Sequence, residues 1–191
     1  DFGLVLAGKS EQKSVSFLCA GDNLIHPQIL KDGAENYDYL YDHVRSEVIQ
    51  SDLAAINQET IFVKDSGLTS GYPRFGTPVE VGDAIVNAGF DIVTLATNHV
   101  LDKELYGIKV TTSFYEQQED VTYVGVNVPG DEAEKPEEPE ESAVRFVEKN
   151  GIRIALLNYT YGTNGIPSPK EYPHIVERFR DEERMLKQID Y

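Results

Sequence analysis

Apolar and polar positions along the chain fall into short blocks that switch between two periods. Residues 14–20 (Ser-Val-Ser-Phe-Leu-Cys-Ala) form a brief apolar run that stops at Gly21-Asp22, the pattern of a buried strand ending in a sharp turn. Across 36–50, Tyr37, Leu40, Tyr41, Val44 and Val48 recur every three or four residues and predict an amphipathic helix. Residues 53–57 read as a second strand running into Asn57-Gln58-Glu59. The Gly- and Pro-rich stretch 66–78 is a loop, 80–88 a helix closed by Gly89, and 91–96 a third strand. A helix over 105–118 and a strand over 121–126 follow.

The later part of the chain changes character. Segments 143–148 and 152–158 flank Asn150-Gly151, the favoured pair of a type I′ turn, and predict a β-hairpin. Residues 159–173 read as a long loop, and 176–191 as a helix with no stop signal. Helices alternating with short apolar runs give an α/β class with helices layered on a sheet, in one domain over 1–191. A helix running to the last residue leads us to expect a physical domain that continues beyond it.

Charge narrows the partners. Seventeen basic against 33 acidic residues give a net charge of −16, which disfavours a nucleic-acid backbone and unaided binding to anionic lipid. Segment 131–141 carries seven acidic residues, one lysine and two prolines, and is expected to be an acidic surface loop. Hydrophobic residues make up 40%, enough for a core and too many for a wholly disordered acidic chain. Cys19 is the single cysteine, so no intrachain disulfide forms; this fits cytoplasm and equally the outer face of a Gram-positive type of cell. No stretch approaches the roughly 20 apolar residues of a spanning helix. The chain opens at Asp1 rather than Met, and removal of an N-terminal signal or anchor would account for that.

Three candidates for chemistry share one position, the carboxyl end of a predicted strand: Asp22, Glu59 and the pair Asn98-His99. In an α/β sheet those ends line a common edge, where ligands sit. Two carboxylates, an amide oxygen and an imidazole are a reasonable donor set for divalent cations, which would activate water and clamp a developing oxyanion. Plainer accounts exist for each: Asp22 in an Asx-turn, Glu59 on the surface, His99 satisfying a turn with Asp102 as an N-cap. His26 lies four residues past Asp22 and is placed to approach the same edge. His43 reads as a structural helix residue, and His174 as exposed.

Four ordered segments carry a resemblance. They are Phe17-Leu18-Cys19-Ala20-Gly21-Asp22, Asn57-Gln58-Glu59, Leu95-Ala96-Thr97-Asn98-His99-Val100-Leu101-Asp102 and Tyr159-Thr160-Tyr161-Gly162-Thr163-Asn164-Gly165. Together they resemble the bacterial capsule-synthesis CapA family, which is associated with poly-γ-glutamate. The resemblance implies a four-layer α-β-β-α metallophosphatase-like sandwich, here its N-terminal portion and incomplete at the C-terminus. It implies Asp22, Glu59, Asn98 and His99 as ligands of Mn²⁺ or Mg²⁺, held weakly, with His99 and Asp102 as the catalytic residues. Asn57, Arg74, Tyr159, Tyr161 and Asn164 are the expected substrate-binding residues. The loops 70–78 and 160–169 are expected to frame one opening, with Lys64, Arg74, Lys103 and Lys109 as a local basic patch or scattered surface charge.

The departures are specific. Thr97 stands where relatives have a first asparagine, Lys103-Glu104 replace an aromatic and a glycine, Gln58 replaces leucine, and the later His-Trp-Gly segment is absent. No Walker loop, Cys-x-x-Cys, serine elbow or dinucleotide fingerprint is present. Three readings stay open. One is a capsule-associated, metal-dependent hydrolase acting on an amide or phosphoester. Another is a non-catalytic capsule-assembly or polymer-binding factor, and the third a metal-dependent phosphodiesterase. The expected setting is the extracellular face or a membrane-anchored cell surface. The expected partners are an anionic polymer or capsule-synthesis membrane subunits, with membrane association through an anchor or partner and with no nucleic acid.

Overall fold

The computed structural model describes residues 13–32, 36–128 and 143–191. Its strands are β1 (Phe17–Asn23), β2 (Leu53–Gln58), β3 (Phe62–Val63), β4 (Thr77–Pro78), β5 (Ile92–Thr94), β6 (Thr122–Val124), β7 (Arg145–Lys149) and β8 (Ile152–Leu156). Its helices are α1 (Pro27–Asp32), α2 (Arg45–Gln50), α3 (Glu80–Ala88), α4 (Glu104–Tyr115) and α5 (Glu182–Asp190). A parallel sheet in the order β1-β2-β5-β6 forms the centre of a mixed α/β fold, with β3-β4 and β7-β8 as separate two-stranded pairs. Because all four central strands run the same way, their carboxyl ends share one edge.

A parallel sheet needs cover on both faces, and the apolar run of β2 supplies residues to each. Ala54 and Ile56 join the larger core with Val93, and α2, α3 and α4 contribute Val48, Val81, Ile85, Ile108 and Tyr115 to it. Leu53 and Ala55 face the other way, into a smaller cluster with Ile92, Val124 and Leu156, against which Val147 and Ile154 of the hairpin pack. Helix α3 ends as its sequence predicts: Gly89 takes φ 97° and its N–H reaches the Ile85 and Val86 carbonyls. In the hairpin turn Asn150 and Gly151 both have positive φ, 53° and 69°, as a type I′ turn requires.

Several expectations are corrected. Strand β1 begins at Phe17 and runs through Gly21-Asp22 rather than turning there, and it is an edge strand with Phe17 and Cys19 exposed. Cys19 pairs with Ala55 but Asp22 with Asn57, so β1 holds one residue more than β2 between those points: a β-bulge.

The helix read over 36–50 is broken into a 3-10 turn at Asp38–Leu40 and the short α2. Tyr37, Tyr41 and Val48 reach the core while Val44 stays exposed, so the apolar stripe is not continuous, and Asn36 caps the turn by accepting the Asp38 N–H at 2.7 Å. His43 is exposed in the intervening turn and has no packing role.

At the other end the helix starts only at Glu182. Residues 176–178 run as bridge-paired backbone instead, because the Glu177 N–H binds the Gly125 carbonyl at 3.0 Å and the Glu177 carbonyl accepts the Thr160 N–H at 3.0 Å. The acidic segment 131–141 lies outside the described residues. Among the described residues no helix is long and apolar enough to cross a membrane.

Candidate functional site

The bulge in β1 aligns Asp22 with Asn57 of β2 and, one strand further, with Thr94 of β5. A hydrogen-bond row follows the register: Thr94 Oγ1 donates to Asn57 Oδ1 at 2.8 Å, and Asn57 Nδ2 donates to Asp22 Oδ1 at 2.6 Å. Asn57 therefore orients Asp22. Beneath this row Asn23 and Gln58 are buried and bonded to each other at 2.6 Å, which fixes the ends of β1 and β2.

Glu59, one residue past β2, is largely buried. Burial first, then the neighbouring Asp22 charge, raises its carboxyl above the ordinary range, opposed by His99 and His26. His99 is buried and points Nε2 at Glu59 Oε1, 4.0 Å away, too long for a hydrogen bond. Its other nitrogen, Nδ1, is 2.7 Å from Asp102 Oδ2. Because a carboxylate accepts, Nδ1 is the donor in that contact; Asn164 Nδ2 also lies 3.3 Å from Nδ1, and Nε2 is left facing Glu59.

Asp102 is 3% exposed, and its Oδ2 also accepts the Phe75 N–H at 2.7 Å. Its second oxygen, Oδ1, is buried with no hydrogen-bond partner among the described residues. Phe75 closes the corner by packing edge-on against His99, ring centroids 4.7 Å apart, and His26 packs edge-on against Phe75 at 5.5 Å. Thr97 has work of its own where relatives would carry asparagine: Oγ1 donates to the Glu59 carbonyl at 2.9 Å and accepts the His99 N–H at 3.2 Å. It ties the two strand-end turns together.

Two cavities open beside these residues. The first, about 570 Å³, is lined by Asp22, Asn57, Glu59 and Asn98 on the sheet side and by Tyr159, Tyr161 and Asn164 on the loop side. The second, about 550 Å³, lies between Tyr72, Pro73 and Arg74 of one loop and Asn164 and Ile166 of the other, with His99 and Asp102 in its wall. The two loops read as framing one opening do so. Asn98 and Asn164 line both cavities and are 3.4 Å apart through Nδ2 and Oδ1.

Every residue expected at the site lines one of these cavities, but their polar atoms are not equally available. The Tyr159 hydroxyl is taken by Gln188 of α5 at 2.6 Å, whereas Tyr161 is 65% exposed. Arg74 is exposed, and its backbone carbonyl is held by Ser70 Oγ at 2.6 Å and lies 3.5 Å from Lys103 Nζ. Of the four cations considered as a patch, Arg74 lines the second cavity, while Lys64, Lys103 and Lys109 line neither. His174 is exposed, 3.5 Å from Asp181 and away from both.

Sequence reasoning passed over Phe75 and the positioning role of Thr97. The available signal was the apolar Phe75 inside a polar loop. Among the described residues no three His, Cys, Asp or Glu side chains are gathered as a metal centre would need. The nearest set has Asp22 engaged by Asn57 and His99 engaged by Asp102.

Residues 16–189 match the model of a family described as bacterial capsule synthesis protein PGA_cap. No curated protein matches the chain. The match spans most of the sequence, and the chain belongs to that family.

Proposed function

We propose that this member of the PGA_cap family serves capsule biosynthesis by binding the anionic capsule polymer, a poly-γ-glutamate, in the groove between its two loops, as a non-catalytic assembly factor. The observation that carries the reading is the pair Asn98 and Asn164, which line both cavities and place amide groups where the two adjoin. An amide-linked polymer needs such complementary groups. Arg74 supplies a cation at one end. The factor works at the outer face of the cell, held there by an anchor or by membrane subunits of the capsule machinery. Its helices on one sheet face and hairpin on the other fit part of an α-β-β-α sandwich of the metallophosphatase kind.

The test is titration calorimetry of the chain with a γ-linked glutamate oligomer, with and without a chelator. Metal-independent binding, weakened about tenfold in Asn98→Ala/Asn164→Ala, is the expected result. Absence of binding by the folded chain sinks the reading.

A second reading is favoured by one arrangement: His99, locked at Nδ1 by Asp102, presents Nε2 toward a carboxyl held above its usual range. That pairing suits acid–base work in a hydrolase acting on an amide or phosphoester, including a phosphodiesterase. Asp22, Glu59, Asn98 and His99 would be the residues to hold Mn²⁺ or Mg²⁺, whose contribution would be activation of water. Their present geometry does not converge on a shared centre. Oligomer cleavage that requires added Mn²⁺ would replace the first reading with this one.

A further inference from the structure

A third cavity, about 600 Å³, adjoins the carboxylate cleft and shares Tyr161, Gly162, Thr163 and Gly165 with it. Its wall carries Arg178, Arg180 and Arg184, an unusual concentration in a chain of net charge −16. The three arginines are not equivalent. Arg184 is buried and committed to Glu177, with Nε 3.1 Å from Oε2 and Nη2 2.8 Å from Oε1. Among the described residues Arg178 meets neutral hydroxyls: its Nη2 donates to Thr163 Oγ1 at 3.0 Å and to Ser168 Oγ at 3.3 Å, while its Nε is buried with no partner among them.

Arg180 lies over the Tyr161 ring, 3.9 Å from its centroid, which holds the planar guanidinium in place without neutralising it. The acids in the wall are engaged elsewhere, Glu177 by Arg184 and Asn127, and Asp181 by His174 at 3.5 Å. Two positioned guanidiniums that meet no carboxylate among the described residues are a receptor for a planar, two-oxygen anion.

We propose that this cavity is a second subsite, where Arg178 and Arg180 take a carboxylate of the same polymer that lies in the neighbouring cleft. The assignment rests on the polymer-binding reading above and adds to it the residues that make an acidic protein attractive to a polyanion. The shared wall sets the path: Tyr161 and the turn from Gly162 to Gly165 separate the amide-lined cleft from the arginine pair. Thr163, which positions Arg178, belongs to that same turn.

The experiment titrates the chain with a γ-linked glutamate oligomer, with the same oligomer after amidation of its free α-carboxyl groups, and with inorganic phosphate. Arg178→Gln/Arg180→Gln is compared with the unaltered protein. The single change Arg180→Glu, at an exposed position, guards against a folding defect. Oligomer affinity is expected to fall about tenfold or more in both variants, with the amidated oligomer unaffected. Equal oligomer binding by all three proteins overturns the subsite and leaves the polymer reading standing. No binding of either oligomer by the unaltered protein overturns the polymer reading, and the carboxylate assignment falls with it. Arginine-dependent capture of phosphate without oligomer binding overturns the carboxylate assignment in favour of a phosphate-bearing ligand.

Discussion

Two buried carboxylates anchor different parts of the groove, and they differ in what each has left over. Glu177, 3% exposed, spends both oxygens: Oε1 on Asn127 and Arg184, Oε2 on Arg184. Asp102, equally buried, spends Oδ2 on the Phe75 N–H and His99, and its Oδ1 has no partner among the described residues. A fully satisfied buried pair rigidifies, while a partly satisfied one keeps a cost that the fold must offset elsewhere. The contrast separates scaffold from site. The Glu177–Arg184 clamp fixes the bridge-paired segment that carries Arg178, whereas the Asp102–His99 corner holds an imidazole whose second nitrogen remains uncommitted.

Removing one partner from the satisfied pair should have the largest effect. Glu177→Ala removes the two-pronged contact that Glu177 makes with buried Arg184 and is expected to cost about 3–5 kcal/mol of stability, read from urea unfolding. A loss below about 1 kcal/mol would erase the distinction. Asp102→Asn is expected to cost less, about 1.5–3 kcal/mol, because an amide oxygen still accepts the Phe75 N–H while the charged contact to His99 is lost. Its signature should be local. The His99 ring resonances should shift and oligomer affinity should drop in protein that remains folded at room temperature. Unfolding of Asp102→Asn at that temperature would make the corner scaffold after all.

The smallest effect concerns Glu59, and its sign is set by linkage. The folded carboxyl sits above its ordinary value of 4.5, so between the two values the folded state binds more protons than the unfolded one. Stability contributed by this group therefore falls as pH rises through that window and stays lower at neutral pH. Glu59→Gln should match the parent protein at acidic pH and melt at a slightly higher temperature at pH 7. A variant that melts lower at pH 7 than its parent would show that ionised Glu59 stabilises the fold, the reverse of what burial beside Asp22 predicts.

How legible all this was depends on the distance over which each feature is decided. Helix α3 with its Gly89 cap and the Asn150-Gly151 hairpin could be read directly, since both depend on the φ values that single residues accept. The strand-end positions of Asp22, Glu59, Asn98 and His99 were legible for a related reason: once the strands are parallel, their carboxyl ends share an edge. The bulge at Gly21 was not, because a Gly-Asp pair fits a turn as well as an extra residue in a strand, and only pairing with β2 decides between them. Nor was the course of 176–178, which is decided by bridges to Val126 and Thr160 far away along the chain.

The sequence by itself determined the α/β class, the hairpin, the acidic charge and the candidate groups along one sheet edge, because local backbone preference and apolar periodicity act within a few residues. Tertiary structure alone decided which of those groups are free. It tied Tyr159 to Gln188, Asn57 to Asp22 and Arg184 to Glu177, and it left Asn98, Asn164, Arg178 and Arg180 facing cavities. The physical reason is that a side chain's chemistry is its residual hydrogen-bonding and charge after the fold has used what it needs. That remainder is set by neighbours tens of residues away along the chain.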